Sequence, residues 1–401
     1  MSLLRAVLSA ACEVREAEDA DHVDGVRPQV VARPRTTDEV SALLRACHGR
    51  GLTVVARGNG TKLSWGRPPE RCEVLLDTTG LDALVEHSRG DLVAIVGAGM
   101  PLARLQALLA EGGHQLVVDD PLGSTVGGAV ATNLSGPRRM WTGAIRDLVI
   151  GVKYVRADGV VAKAGGRVVK NVAGYDLAKL LTGSYGTLAV ITEVTLRLHP
   201  LPEASRWVTL DVGPEQLPGV LAAVVHSQLV PRALELHAPP DGALQVSALL
   251  EGSADGATAR AEALAAQLDG ARVSSAPPAW WGQLPEGDLL MKTTARLSGV
   301  PQLVAHATSL GLGVRGSAGT GVLYAAGRSG GAGLRRAAVV QSLRTLSIEL
   351  GGSTVALDAP ADVKPQLDSW GPVPAIDLMR RVKQEFDPAR TLAPGRFVGG
   401  I

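Results

Sequence analysis

Apolar residues recur along this chain with two periods, and the switches between them lay out its elements. Thr36 and Glu39 form a capping box, followed by Val40, Leu43, Leu44 and Cys47 at helical spacing. This predicts a helix ending near Gly51 with Cys47 on its buried face. The apolar run Leu52-Thr53-Val54-Val55-Ala56 predicts a strand, and Val93-Ala94-Ile95-Val96-Gly97 another. Pro101 is then placed at a first helical position, with Leu102, Leu105, Leu108 and Leu109 on the buried face until Gly112-Gly113 stops the helix. After about residue 205 a second series begins. Trp207 to Val212 alternates as a strand, residues 215 to 228 read as a helix, Leu244 to Leu249 as a strand and Thr258 to Leu268 as a helix. The order recurs with Leu289 to Leu297, a helix at 301 to 310, strands near 312 and 322, and a helix at 334 to 350. Two such halves on an antiparallel sheet make an α+β unit. The Ala/Gly-rich stretches 252 to 257 and 327 to 333 read as flexible links.

Three loops break the periodicity with small residues. Arg57-Gly58-Asn59-Gly60-Thr61-Lys62 follows the strand ending at Ala56. Glycines there can hold positive φ and let backbone N–H groups converge on an anion, with Arg57 and Lys62 adding positive charge and Thr61 a hydroxyl. Taken alone, such a loop is as often a plain tight turn. Pro121 to Asn133 is built from glycine, hydroxyl residues and one amide, carries no charge until Arg138, and reads as backbone pressed against a large flat ligand. Gly174-Tyr175-Asp176-Leu177 with Gly183-Ser184-Tyr185-Gly186-Thr187-Leu188 again leads from glycines into a β-branched strand.

In order and spacing, these loops within residues 28 to 200 resemble the FAD-linked oxidases of the vanillyl-alcohol-oxidase type, which carry a PCMH-type FAD-binding domain. The run Gly165-Gly166-Arg167-Val168-Val169-Lys170-Asn171-Val172-Ala173-Gly174-Tyr175-Asp176 is most similar to the FAD-binding subunit of bacterial glycolate oxidase. The terminal Phe386-Asp387-Pro388 and Leu392-Ala393-Pro394-Gly395-Arg396 are similar to the closing motif of that group. The resemblance implies an α+β fold. A two-subdomain FAD-binding domain over 1 to 204 would precede an antiparallel-sheet α+β cap over 205 to 374, with 375 to 401 returning to the first domain. It further implies that Arg57, Gly58, Asn59, Gly60, Thr61 and Lys62 cradle the FAD pyrophosphate. Pro121, Ser124, Thr125, Gly127, Gly128 and Asn133 would approach the isoalloxazine and ribityl portions, and Gly186 and Ile191 would lie along the adenosine end. Covalent flavin attachment needs a His or Cys beside the ring; residues 57 to 66 and 121 to 136 contain neither, so non-covalent FAD is expected.

Composition narrows the alternatives. The 401 residues suit two or three domains, and 40 basic against 39 acidic residues without a basic block give nothing to attract a polyanion. Twelve aromatics (6 Trp, 4 Tyr, 2 Phe) are too few for base-stacking platforms. No apolar run reaches the ~18 residues of a membrane span, and Met1 to Val14 makes a poor signal peptide, so a cytoplasmic protein is expected, with any membrane attachment through partner subunits. Cys12, Cys47 and Cys72 form no Cys-x-x-Cys, so no iron–sulfur cluster or zinc ribbon is expected, and each cysteine reads as structural.

A dinucleotide fingerprint is suggested by Gly97-Ala98-Gly99 with Asp119 and Asp120 about twenty residues on, but Leu102 stands where the third glycine would be. That counts against a nicotinamide-dependent Rossmann enzyme. The eight His residues are dispersed singly, without ligand spacing. Related 2-hydroxyacid dehydrogenases carry a His-x-Gly-Asp-Gly-Asn-x-His element in the substrate site; its counterpart here, Arg315 to Tyr324, keeps glycines but has neither His. Arg138, Arg139, Lys170 and Arg296 are candidates to grip a substrate carboxylate, with a solvated surface as good a reading for each. The Trp280-Trp281 corner is a candidate docking surface, although paired Trp residues more often pack.

Three functional readings stand. The first is the FAD-binding subunit of a 2-hydroxyacid (glycolate-type) dehydrogenase that passes electrons onward; the resemblance implies a second flavoprotein and an iron–sulfur subunit as partners. The second is a self-sufficient FAD oxidoreductase acting on a lactate-like or sugar-alcohol substrate. The third is a non-catalytic flavin-containing scaffold.

Overall fold

A computed structural model describes residues 3–167, 174–328 and 333–401. Lys170, and with it the centre of the 165 to 176 run, lies outside the described residues. The chain divides into two compact units. One holds the residues up to Leu134, Ala144–Pro200 and Pro372–Ile401; the other holds Ser135–Gly143 and Leu201–Gly371.

The first unit contains two sheets. In the four-stranded one the order is Glu13–Glu16, Val30–Arg33, Val74–Asp77, Val54–Arg57, with the last three mutually parallel in their pairings. Strands Val30–Arg33 and Val54–Arg57 are linked by the helix Thr37–His48. The Thr36 hydroxyl accepts from Glu39 N–H at 3.1 Å, while the Glu39 carboxylate reaches the N–H of Arg35 rather than that of the cap itself. Val40, Leu43, Leu44 and Cys47 are buried against Val30, Ala32, Val54, Val74 and Leu76. Burial raises the Cys47 thiol, and likewise that of Cys72, to about 12, which keeps both protonated and unreactive.

The five-stranded sheet runs Leu84–Ser88, Val93–Gly97, Val190–Arg197, Val149–Val155, Val161–Gly165, all antiparallel. Here Gly97 and Gly99 have a packing reason. A Cβ on Gly97 would lie 2.1 Å from the Leu81 carbonyl oxygen, and one on Gly99 would lie 1.9 Å from that of Thr78. An antiparallel strand and glycines pressed on a neighbouring backbone are not a Rossmann fingerprint. Pro101 caps the helix Leu102–Ala110 instead of opening it, and Leu102, Leu105 and Leu109 are its buried residues.

The second unit is built on an eight-stranded antiparallel sheet. Its order is Arg272–Ser274, Ala204–Val212, Leu244–Gly252, Ala233–Ala238, Gly313–Ser317, Val322–Gly327, Leu289–Thr294, Thr354–Asp358. One face packs Val208, Leu210, Leu236, Val246, Met291 and Leu323 against the helices Leu217–Val225, Ala254–Gln267, Val300–Ser309 and Gly333–Glu349. Strands Ala233–Ala238, Arg272–Ser274 and Thr354–Asp358 escaped the sequence reading, which also carried the Leu289 strand past its end at Thr294. Residues 252 to 257 are not a flexible link: the helix Ala254–Gln267 starts inside them. Part of the other expected link, 327 to 333, lies outside the described residues. Ser135–Gly143, grouped with the first domain in the sequence reading, packs in the second unit, where a Cβ on Gly319 would meet Met140 Sδ at 2.5 Å.

Candidate functional site

Strand Val54–Arg57 delivers the chain into a turn at Gly58 to Lys62, and that turn forms one wall of an open cleft in the first unit. Gly60 takes φ of +76°, a conformation that favours glycine. Gly58 is small for another reason: a Cβ there would lie 2.2 Å from Thr125 Oγ1. Among the described residues, the N–H groups of Gly58, Asn59, Gly60, Thr61 and Lys62 have no acceptor within the protein. They line an open cleft, where a ligand oxygen can take them.

The cations of this loop are not disposed as the sequence suggested. Arg57 reaches Asp21 at 2.9 Å and Asp77 at 3.0 Å, so its charge is balanced inside the protein instead of being offered to a phosphate. Arg15 also binds Asp21, and the two guanidiniums hold that carboxyl far below the usual range. Lys62 is buried, donates to Ser124 Oγ and lies 5.9 Å above the Trp65 ring. Burial lowers its ammonium to about 8, with Asp120 opposing the shift. Ser124 in turn donates to Asp120 at 3.0 Å.

The opposite wall includes a feature absent from the sequence reading. Residues 121 to 133 contain the helix Val126–Ala131, capped by Thr125. Its first N–H groups are all used: Val126 donates to Met100 O at 2.8 Å, Gly127 to Ala98 O at 2.7 Å and Gly128 to Thr125 Oγ1 at 3.2 Å. Gly127 lets the helix sit on the Ala98 turn, since a Cβ would lie 2.7 Å from the Ala98 Cβ. Gly128 also lines the cleft, and an added Cβ would meet only Thr125 Oγ1, at 3.1 Å.

Of the expected cofactor residues, the cleft gathers Arg57, Gly58, Asn59, Gly60, Thr61, Lys62, Thr125, Gly127, Gly128, Gly186 and Ile191. Asn59 also donates to Gly123 O at 2.7 Å, tying the two glycine loops together. Gly186, at φ +72°, follows Tyr185 at +56° in a turn that also lines the cleft. Pro121, Ser124 and Asn133 are not part of the lining. Ser124 stands behind it as the partner of Lys62, while the Asn133 side-chain oxygen is buried without a hydrogen bond.

The sequence reading missed Thr78, Ala98, Thr132 and Arg396 in the lining. Arg396 is the informative one, since its closing motif was recognised but no role followed from it. The end of the chain reaches the cleft because Val54 N–H donates to Thr391 O at 2.7 Å and Ala393 N–H to Val54 O at 2.9 Å, adding a short parallel rung beside the strand that feeds the glycine loop. Asp387 fixes that segment by accepting from Thr391 and Leu392 N–H, and Lys383 reaches Asp387 at 2.7 Å, Thr187 O at 2.7 Å and Leu392 O at 3.0 Å.

The comparisons with known proteins bear on the cofactor. Residues 28–165 match the FAD binding domain family. The chain carries an FAD-binding domain of that family. It is 28% identical to an FAD-linked oxidoreductase of Mycobacterium tuberculosis, over 93% of this chain and 91% of the relative. It is 39% identical to the glycolate oxidase subunit GlcE of Escherichia coli over 38% of this chain and 44% of that one. To the D-lactate dehydrogenase of Archaeoglobus fulgidus it is 38% identical, over 48% and 46%. The chain therefore spans less than half the length of these two relatives. An alkyldihydroxyacetonephosphate synthase structure shares the fold, with a TM-score of 0.66 over 92% of this chain and 76% of the neighbour at 17% identity. FAD is the cofactor, and the cleft fits it: glycine walls and unused N–H groups suit the anionic spine of a dinucleotide. When bound, FAD supplies hydride chemistry that no side chain can.

In the second unit, register places a polar row on the face opposite the core. Asp211, Gln245, His237, Arg315, Tyr324 and Lys292 are successive cross-strand partners. Gln245 donates to Asp211 at 2.6 Å, and Arg315 Nε to His237 Nδ1 at 3.0 Å, which leaves the His237 proton on Nε2. Trp280 stacks on His237 and donates to Gln245 at 2.6 Å, so this tryptophan packs within the unit and is not an exposed docking anchor. At the end of the row, burial lowers the pKa of the Lys292 ammonium, with Tyr324 and Arg139 as its electrostatic neighbours.

The expected carboxylate grips fare differently. Arg138 lies 3.9 Å from Glu251, Arg139 donates to the Ser135 and Gly136 carbonyls, and Arg296 is exposed and donates to Leu350 O at 3.2 Å. His87 and His114, read as isolated, meet at 3.0 Å across 27 residues of sequence. Among the described residues no set of three or more His, Cys, Asp or Glu side chains gathers to hold a metal ion. No helix among them is long and apolar enough to cross a membrane.

Proposed function

We propose that this FAD-dependent oxidoreductase oxidises a small 2-hydroxyacid of the glycolate or D-lactate type, using non-covalently held FAD, and works as a subunit that passes electrons to a partner. The observation that carries the substrate class is the cationic end of the polar row, Lys292 beside Tyr324 with Arg139 near. A half-buried ammonium and a phenol hydroxyl on one sheet face suit a compact carboxylate, and a lysine whose charged form is disfavoured gains most from an anionic partner. Likeness to a glycolate oxidase subunit and a D-lactate dehydrogenase supports the same class. Non-covalent attachment is supported by a cleft lining without His or Cys among the described residues.

The subunit reading rests on the cysteines. Two of the three are buried and held protonated, which does not suit an on-board cluster, so two electrons must leave to an external acceptor. A second flavoprotein and an iron–sulfur subunit are the proposed partners.

The test mixes FAD-loaded protein anaerobically with glycolate or D-lactate and follows loss of flavin absorbance. Slow bleaching by the isolated chain, accelerated when it is co-expressed with its partners, is expected. Lys292→Met is expected to raise KM about tenfold while leaving FAD content unchanged. Turnover near 10 s⁻¹ by the isolated chain would favour the self-sufficient reading instead. Failure of every 2-hydroxyacid to bleach the flavin, alone or with partners, sinks the substrate class while leaving the cofactor assignment untouched.

A further inference from the structure

Arg396 is 4% exposed, and its charge is expensive to bury unless its donors are met. Nη2 meets two of the loop's carbonyls, Leu63 O at 2.9 Å and Trp65 O at 3.0 Å. Nη1 is buried and has no acceptor in the protein. Burial pulls this guanidinium below its ordinary pKa, with Asp24, Tyr185 and Cys72 acting in the other direction. The side chain lines the same cleft as Gly60, Lys62 and Gly186. The other cations there are differently engaged: Arg57 is divided between two carboxylates, and Lys62 is turned to Ser124.

We propose that Arg396 Nη1 donates to the pyrophosphate of FAD, so that the last residues of the chain supply the cation that the glycine loop does not. A guanidinium held through one nitrogen by two backbone carbonyls is pre-oriented, so Nη1, the nitrogen left without an acceptor on a side chain that lines the cleft, can donate at little further entropic cost. The ligand class is a diphosphate, because the loop beside it presents unused backbone N–H groups, which match anionic oxygen.

The test measures dissociation constants of apo-protein for FAD, ADP and riboflavin by titration, with riboflavin lacking any phosphate, alongside the melting temperature of each apo variant. R396M is expected to weaken FAD and ADP roughly ten- to hundredfold, the size of a lost charge-assisted hydrogen bond, and to leave riboflavin unchanged. The salt dependence of FAD binding should also flatten, since one ionic contact has gone. R396K, which keeps the charge but cannot span the carbonyls and a ligand together, is expected to fall between wild type and R396M, and it carries the test if R396M does not fold. FAD affinity within twofold of wild type in either variant overturns the proposal. So does equal weakening of riboflavin, which would mean that Arg396 only shapes the loop.

Discussion

The first unit bounds its cleft with glycine backbone and small side chains, whereas the second lays six polar side chains across one face of a sheet. In the first, glycines are small for three separate reasons: positive φ at Gly60, close packing at Gly58 and Gly127, and an open face at Gly128. Its charges are mostly consumed internally. In the second, the backbone is ordinary antiparallel sheet and every specific feature sits in a side chain. A cofactor with a long polar spine suits main-chain recognition, which tolerates little substitution; a small varied substrate suits side chains, which can be exchanged.

The sharpest way to break this contrast is to fill the cleft. Gly128→Trp and Gly60→Trp are expected to lower FAD affinity more than a hundredfold, leaving a colourless protein, because no rotamer clears a bulky side chain from backbone–ligand contact. The far-UV circular dichroism of both should remain that of wild type. Normal FAD content in the two variants would reduce these loops to ordinary turns and erase the distinction between the units.

A smaller effect tests whether the chain end belongs to the first unit's framework. Lys383→Met leaves Asp387, fully buried, without its cation while it still accepts two backbone N–H groups. Breaking a buried pair in this way costs about 3–5 kcal/mol, or on the order of 10 °C in melting temperature for a protein of this size. A shift below about 2 °C in calorimetry would show that the 387 to 401 segment adds little to the fold.

The third effect is read in pH. Lys62 has its pKa lowered to about 8 by burial, against 10.5 when unfolded. Between those values the unfolded chain binds more protons than the folded one, so stability rises with pH through the window and is complete above 10.5. Lys62→Met is expected to remove this component. Denaturation midpoints at pH 8 and pH 10 should move closer together in the variant, and an unchanged difference would mean that the ammonium is better solvated than its burial implies.

Much of the architecture was legible because burial leaves a periodic trace. The helix Thr37–His48, the capping Thr36 and the buried face through Cys47 follow from spacing alone. The helix Val126–Ala131 did not, since Val-Gly-Gly-Ala-Val-Ala has poor intrinsic propensity and is held by the Ala98 and Met100 carbonyls. Arg272–Ser274 was missed because a three-residue exposed edge strand has no periodicity to read.

The sequence by itself determined where glycines, hydroxyls and buried faces stand, because those depend on neighbours within a few residues. Tertiary structure alone decided which charges remain available. Arg57 is spent on Asp21 and Asp77, 36 and 20 residues away, and Arg396 reaches Leu63 across 333. His87 finds His114, and the row from Asp211 to Lys292 exists only because strand register brings together residues scattered between positions 211 and 324. Local conformation follows from short-range sterics and hydrogen bonds, whereas the worth of a charge depends on what lies within a few ångströms of it, and that is settled only when the chain has folded.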